Sequence, residues 1–249
     1  MMKLYDKMFF MSTTSLGDSF VLTGIIHHYG DRCNELHVPV MSGQFETLST
    51  LYQEHPNIKV ISGDSYNNDD TAYIEKHKLG RIMRVEYLRW PIRNYGVVPM
   101  WDLQLYSNFE LSFGLRYSNF RLPKNIKGSD ELYERLSGGE PYILVHRFTA
   151  DHPNGMPVNI PAFREMNGLP PIKIIEIHES ITQNMMHYVK LIQNAQEIHV
   201  VPSSFQCLVD GIDTPAKLFF HDIREKTAMS ANSQWNNFKW IMVSYPERV

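Results

Sequence analysis

The sequence predicts an α/β protein of two Rossmann-like domains that face each other across a cleft, in a compact version of that arrangement. Two observations carry the prediction. Short apolar runs alternate with helix-period segments in both halves of the chain, which is the rhythm of a parallel sheet with crossover helices. Each half also turns a hydroxyl- or glycine-bearing corner straight after an apolar run. Ser12-Thr13-Thr14-Ser15-Leu16-Gly17-Asp18 follows residues 8–11, and Pro202-Ser203-Ser204 follows residues 198–201. Open α/β sheets bind ligands outside the carboxyl ends of their strands, so two such sheets face to face suit the joining of two molecules. At 249 residues the chain divides into an N-terminal domain, 1–124, and a C-terminal domain, 125–249, each of ordinary size.

In the N-terminal half, residues 8–11 form the first buried strand. From Asp18 onward Val21, Leu22, Ile25, Ile26 and Tyr29 recur at helical spacing, and Gly30 stands where a helix ends. Residues 35–40 read as a second strand, and 44–54 as a helix with Phe45, Leu48 and Leu51 inward. His55-Pro56-Asn57 is a turn, and 58–61 a third strand. Residues 62–70 are polar and turn-rich, and 71–78 form a short helix. The stretch 81–120 is dense in aromatic rings and arginines, Trp90 and Arg93 among them; within it 101–113 fits a helix, and 123–128 beyond it a linker.

The second half repeats the rhythm without repeating the sequence. Residues 142–145 form a strand, and a polar connection with five prolines runs over 147–171 before the next strand, 172–177. Ser180-Ile181-Thr182-Gln183 has capping-box spacing and opens a helix with Ile181, Met185, Val189 and Ile192 on one face. Residues 198–201 form a strand, Ser203 caps a short helix over 205–210 closed by Gly211, and 217–220 form a further strand. Residues 235–243 read as a terminal helix, with Trp235, Phe238 and Met242 spaced to pack back on the N-terminal domain.

Composition narrows the function. Lysine and arginine number 24 against 27 aspartates and glutamates, a net charge of −3, so the basic face a nucleic acid needs is missing. No apolar run approaches the ~20 residues that span a bilayer. Lys3, Asp6 and Lys7 break up the first ten residues, unlike the core of a signal peptide. Cys33 and Cys207 read as buried free thiols in a reducing compartment. The histidines show no HExxH pattern, and the rings of His27 and His28 point about 100° apart on a helix, too divergent to share a metal. A cytoplasmic protein is expected.

The first corner offers one carboxylate, Asp18, beside Gly17 at a strand-to-helix turn. It lacks the GxGxxG spacing of a dinucleotide site and the lysine of a P-loop. A carboxylate there can take a proton from an attacking hydroxyl, or simply cap the helix. At the second corner Pro202, Ser203, Ser204 and Phe205 open a helix whose free N–H groups and dipole suit a phosphate. The ends of three strands, at His146-Arg147, His178-Glu179 and Pro202-Ser203-Ser204, should lie side by side. Arg147 would pair with phosphate oxygens and Glu179 would accept ribose hydroxyls, with His146 as a base, a phosphate donor or a satisfied buried ring. Asp151-His152 could cover the cleft, and Asn67-Asn68-Asp69-Asp70 reads as a turn rather than a metal motif. Trp90 and Arg93, beside Ser15 and Gly17, are the acceptor-side candidates, since flat rings with flanking donors suit sugar faces.

Ser15-Leu16-Gly17-Asp18-Ser19-Phe20-Val21-Leu22-Thr23 resembles the opening of GT-B fold glycosyltransferases of the ADP-heptose lipopolysaccharide heptosyltransferase type. The segment from Val200 to Asp210 resembles the family's donor-phosphate segment, with Pro202-Ser203-Ser204 and Cys207 where the family carries Asp-Thr-Gly and a histidine. Val145-His146-Arg147 resembles the His-x-Arg-Arg segment of fucosyltransferases with the same architecture, with Phe148 in place of the second arginine. The resemblance implies Asp18 as the base that activates the acceptor hydroxyl. It also implies a nucleotide-sugar donor in the C-terminal domain, an acceptor in the N-terminal one, and no metal or other cofactor. The chain is short for this fold, so peripheral elements should be missing.

The sequence thus points to a metal-independent, inverting glycosyltransferase acting on a glycan or other hydroxyl acceptor. Two other readings remain: a catalytically silent nucleotide- or sugar-binding module of the same fold, and a pyruvyl-type transferase acting on glycans. A base at the first corner favours the first.

Overall fold

The structure, a computed structural model, describes residues 5–11, 15–63, 69–84, 101–149, 152–222 and 239–244. The chain forms two compact units, Met1–Asn125 and Ile126–Val249.

The first unit is built on β1 (Tyr5–Met11), α1 (Leu16–Gly30), β2 (Cys33–Val40), α2 (Phe45–Leu51) and β3 (Ile58–Ser62). It continues with α3 (Asp70–His77), β4 (Arg81–Arg84), α4 (Trp101–Ser107) and α5 (Leu115–Ser118). All four strands run parallel in the order β3-β2-β1-β4. The central strand β1 is buried on both faces, with Met8, Phe9 and Phe10 inaccessible to solvent, as a covered parallel sheet requires. The helix expected over 101–113 stops at Ser107, because the chain reverses at Glu110, which takes a left-handed φ of 54°.

Helix α1 is enclosed almost all round. Its Gly24 lies where α5 approaches most closely: a Cβ there would stand 2.2 Å from the Leu115 carbonyl oxygen and 2.6 Å from the Tyr106 hydroxyl. That hydroxyl donates to the Val21 carbonyl at 2.8 Å, and the Asn119 amide donates to the Gly24 carbonyl at 2.9 Å. Behind the contact, Arg116 and Asp102 form a buried ion pair between α5 and α4.

The second unit contains α6 (Ser129–Ser137), β5 (Tyr142–His146), α7 (Ile160–Met166), β6 (Lys173–Glu176) and α8 (Val189–Asn194). After these come β7 (Glu197–Val200), α9 (Ser204–Gly211), β8 (Lys217–Asp222) and β9 (Trp240–Ser244). Its five strands are parallel in the order β6-β5-β7-β8-β9.

Two expectations are corrected here. The end of the supposed terminal helix is the strand β9: Trp240-Ile241-Met242-Val243 is a continuous apolar run, and pairing Phe220 with Met242 supplies backbone partners that helical spacing alone does not reveal. Trp235 and Phe238 lie outside the described residues. The Ser180 capping box does not form, since the Ser180 hydroxyl sits 2.8 Å from His178 Nδ1. Asn184 caps instead, accepting from the Met186 N–H, and the turn runs through Met185–Tyr188 into α8. Two connections also acquire structure: α7 lies within the proline-rich segment, and β4 opens the aromatic one.

Helix α7 covers one face of the sheet over a buried polar chain. Arg164 donates to Glu197 at 2.6 Å, His199 Nε2 lies 3.2 Å from the same carboxylate, and His199 Nδ1 lies 2.9 Å from His221 Nε2. Both rings are fully buried, with Phe219 stacked on His199 at 4.6 Å. Burial raises the Glu197 carboxyl, but the hydrogen bonds from Arg164 and His199 outweigh it and leave the group below its ordinary value. Burial also lowers His199 to about 4, against the pull of Glu197, and lowers His221 to about 3, helped by His199. Opposite this face, α9 is tied to β9 by Trp240, whose indole N–H donates to the buried Asp210 carboxylate, which also accepts from Gln206 at 2.7 Å. No helix among the described residues is long and apolar enough to cross a membrane.

Two outcomes are expected. Gly24→Ala should raise helix propensity yet destabilise the first unit by about 1–3 kcal/mol, because the methyl has no room. Urea unfolding measures it, and a stabilised variant would refute the close approach. Separately, His199 and His221 have folded values below the ordinary 6.5, so unfolding takes up protons in acid. Their contribution is complete above pH 6.5 and is lost as pH falls towards 4, with a slope of about 1.4 kcal/mol per pH unit for each proton. Urea midpoints at pH 7.5 and 5 should show the drop, and His221→Gln should make it shallower.

Candidate functional site

Three strand ends expected to be neighbours are neighbours. β5 lies between β6 and β7, with Val145 opposite Glu176 and His146 opposite Val200. Backbone bonds continue past the strands: Ile177 N–H donates to the Val145 carbonyl at 2.8 Å and Val201 N–H to the His146 carbonyl at 3.1 Å. His146, His178 and Ser203 are thereby gathered on one carboxyl edge.

At that edge the chain leaves β7, turns at buried Pro202 and enters α9. Ser203 is its N-cap and accepts from the Gln206 N–H. The Ser204 and Phe205 N–H groups in the first turn have no acceptor within the helix. Ser203 Oγ also lies 3.1 Å from His146 Nδ1. The His146 ring is buried, stacked on Phe205 at 5.1 Å and met edge-on by Phe148 at 6.3 Å. Burial, aided by the neighbouring His178, lowers His146 to about 4, so it is a neutral ring near pH 7.

Arg147, the expected phosphate partner, already has neighbours. Its Nε donates to Glu176, Nη1 reaches the Met156 carbonyl at 3.4 Å, and the guanidinium lies over Phe148 at 5.2 Å. The Met156 N–H donates back to the Arg147 carbonyl at 2.7 Å, so Arg147 clasps the proline-rich loop. Gly155, at φ +85°, keeps the loop close, since a Cβ there would meet Nη1 at 2.8 Å. His178 carries Ser180 on Nδ1 and faces Phe148 at 4.6 Å, while Glu179 is exposed. Sequence reasoning named Phe148 only as a replaced arginine and missed Glu176, since only register shows which residue Glu176 meets.

In the first unit the corner is a complete capping box. Ser15 N–H and Ser15 Oγ–H donate to Asp18 Oδ2 at 3.0 and 2.9 Å, and Asp18 N–H donates to Ser15 Oγ at 3.5 Å. Gly17 is buried, and Asp18 is half-buried. Ser19, one residue on, lies 3.4 Å from Gln44 Oε1, which brings the end of β2 to the same corner. Trp90, Arg93 and Asp151 lie outside the described residues. Asp69 caps α3 by accepting from the Ala72 N–H at 2.9 Å. Among the described residues no group of three or more His, Cys, Asp and Glu side chains could hold a metal, and Cys33 and Cys207 are buried thiols outside any disulfide.

No protein-family model and no curated protein matches the sequence. Solved structures do. A glycosyltransferase family 9 protein from Veillonella parvula is similar over 96% of this chain and 86% of its own, at 9% identity and a TM-score of 0.58. The ADP-heptose LPS heptosyltransferase II of E. coli matches over 95% of this chain and 90% of its own, at 9% identity and 0.56. The dodecameric iron-containing heptosyltransferase TibC, solved with ADP-D-β-D-heptose, matches over 98% of this chain, at 14% identity and 0.57. This chain spans 64% of TibC's length. At such identities the likeness is one of fold: the chain has the GT-B-type α/β fold that these glycosyltransferase structures share.

Proposed function

We propose that the protein is a glycosyltransferase that moves a sugar from a nucleotide-sugar donor to a hydroxyl of a glycan or similar acceptor. The observation that carries this reading is the carboxyl edge β6-β5-β7, where a capped helix N-terminus meets a buried neutral histidine. The donor's diphosphate lies against the first turn of α9, with Ser204 and His146 as hydrogen-bond donors. Glu179 is exposed to take ribose hydroxyls. Arg147 reaches the phosphates only by exchanging Glu176, so its first task is to hold the loop at the edge. The second unit is the donor side and the first the acceptor side, with Ser15 and Gly17, and the sequence candidates Trp90 and Arg93, as acceptor-binding residues.

Asp18 is the base. Oδ2 takes both capping bonds, and Oδ1 makes no hydrogen bond among the described residues. The acceptor O–H proton passes to this carboxylate as the oxygen bonds the anomeric carbon. The bond to the phosphate oxygen breaks in the same step, and the nucleoside diphosphate leaves with the electron pair. Direct displacement inverts the anomeric centre. Helix N–H donors stabilise the leaving charge in the role a metal fills elsewhere. The silent-module reading draws on one observation, that Asp18 is already employed in the capping box.

Nucleotide release from a panel of nucleotide sugars and acceptors separates the two. Turnover should persist in EDTA. Asp18→Asn keeps an acceptor oxygen for the Ser15 N–H, so the melting temperature should shift little while kcat falls by about 10²–10⁴-fold. No release from any pair, or an unchanged kcat in Asp18→Asn, sinks the transferase reading.

A further inference from the structure

We propose that Ser203 is a positioning residue: it sends its hydroxyl proton to His146 Nδ1 and so fixes His146 as an Nε2–H donor to a phosphate oxygen. The ligand in this statement rests on the reading above, whereas the tautomer does not.

Ser203 stands at the N-terminus of α9, where its oxygen accepts from the Gln206 N–H at 3.4 Å. A hydroxyl has one proton of its own to place, and the acceptor in reach is His146 Nδ1 at 3.1 Å. A neutral imidazole that accepts at Nδ1 carries its proton at Nε2. The ring cannot flip cheaply to put Cδ2 in the place of Nδ1. It is stacked on Phe205 at an interplanar angle of 27° and bounded by Phe148, and its backbone is pinned by Val201. It is also 8% exposed, so the ring is held by packing while its second nitrogen makes no hydrogen bond among the described residues.

Of the charged and titratable groups at this edge, Glu179 is exposed, and Arg147, Glu176 and His178 are engaged. Arg147 and Glu176 pair with each other, and His178 holds Ser180 at Nδ1, which leaves Ser203 alone on His146 Nδ1. The result is an uncharged donor beside the first-turn N–H groups of α9. An anion at the start of α9 suits these donors, and His146 stays neutral across the pH range in which an ordinary histidine switches charge.

Histidine-labelled protein observed by 15N NMR reads the tautomer directly, with pyrophosphate as the probe. The wild type should show the Nε2–H form at pH 7, with no protonation of His146 above pH 5.5. Ser203→Ala should give a mixture of tautomers and bind pyrophosphate about tenfold more weakly. Ser203→Thr keeps both the hydroxyl and the cap and should restore the Nε2–H form. Pyrophosphate should shift the Nε2 signal. An Nδ1–H tautomer in the wild type, an unchanged tautomer in Ser203→Ala, or an Nε2 signal indifferent to saturating pyrophosphate overturns the proposal. Absent sugar transfer with these signals intact counts against the transferase reading alone.

Discussion

Because every strand in each unit runs parallel to its neighbours, the carboxyl ends of a sheet share one edge. Where a strand leaves that edge straight into a helix, the helix's first N–H groups need acceptors. The two corners answer this demand in different ways. Asp18 and Ser15 satisfy each other within one turn of α1. Ser203 caps α9 and reaches sideways to a histidine from another strand. The first solution is local, and the second exists only because β5 and β7 are paired.

That difference explains what the sequence made legible. Strands β1, β2, β3, β5, β7 and β8 are short apolar runs bounded by turns, and their backbone pairing follows from the rhythm. The strand β4 is not so marked, since Arg81-Ile82-Met83-Arg84 has two apolar residues and no alternation to speak of. Helix α7 hides in a polar segment because Pro161 reads as a breaker, although the first turn of a helix tolerates proline and Asn159 caps it. β9 was misread because four consecutive apolar residues satisfy either period, and only the partner strand decides.

The candidate site divides along the same line. The Ser-x-x-Asp spacing at residues 15–18 announces its own hydrogen bonds, so the capping role of Asp18 was readable while its catalytic role was not. The neighbourhood of His146, His178 and Ser203 followed from strand order. The fate of Arg147 did not, because its partner Glu176 lies on another strand and is selected by register. The buried chain from Arg164 to His221 was equally hidden: Glu197 and His199 alternate with Ile198 and Val200 along β7, but a polar alternation ordinarily signals solvent. Here α7 covers that face.

The tie between Trp240 and Asp210 has a consequence for how the second unit is made. On a growing chain α9 emerges 30 residues ahead of the strand that supplies its indole partner. Until then Asp210 is a carboxylate on an apolar helix face with part of its shell missing, and burying it in that condition is costly. The ribosome therefore delivers the edge-forming helix before the piece that lets it settle. Until β9 pairs with β8, Asp210 lacks its indole donor and the β8 edge has no strand beside it.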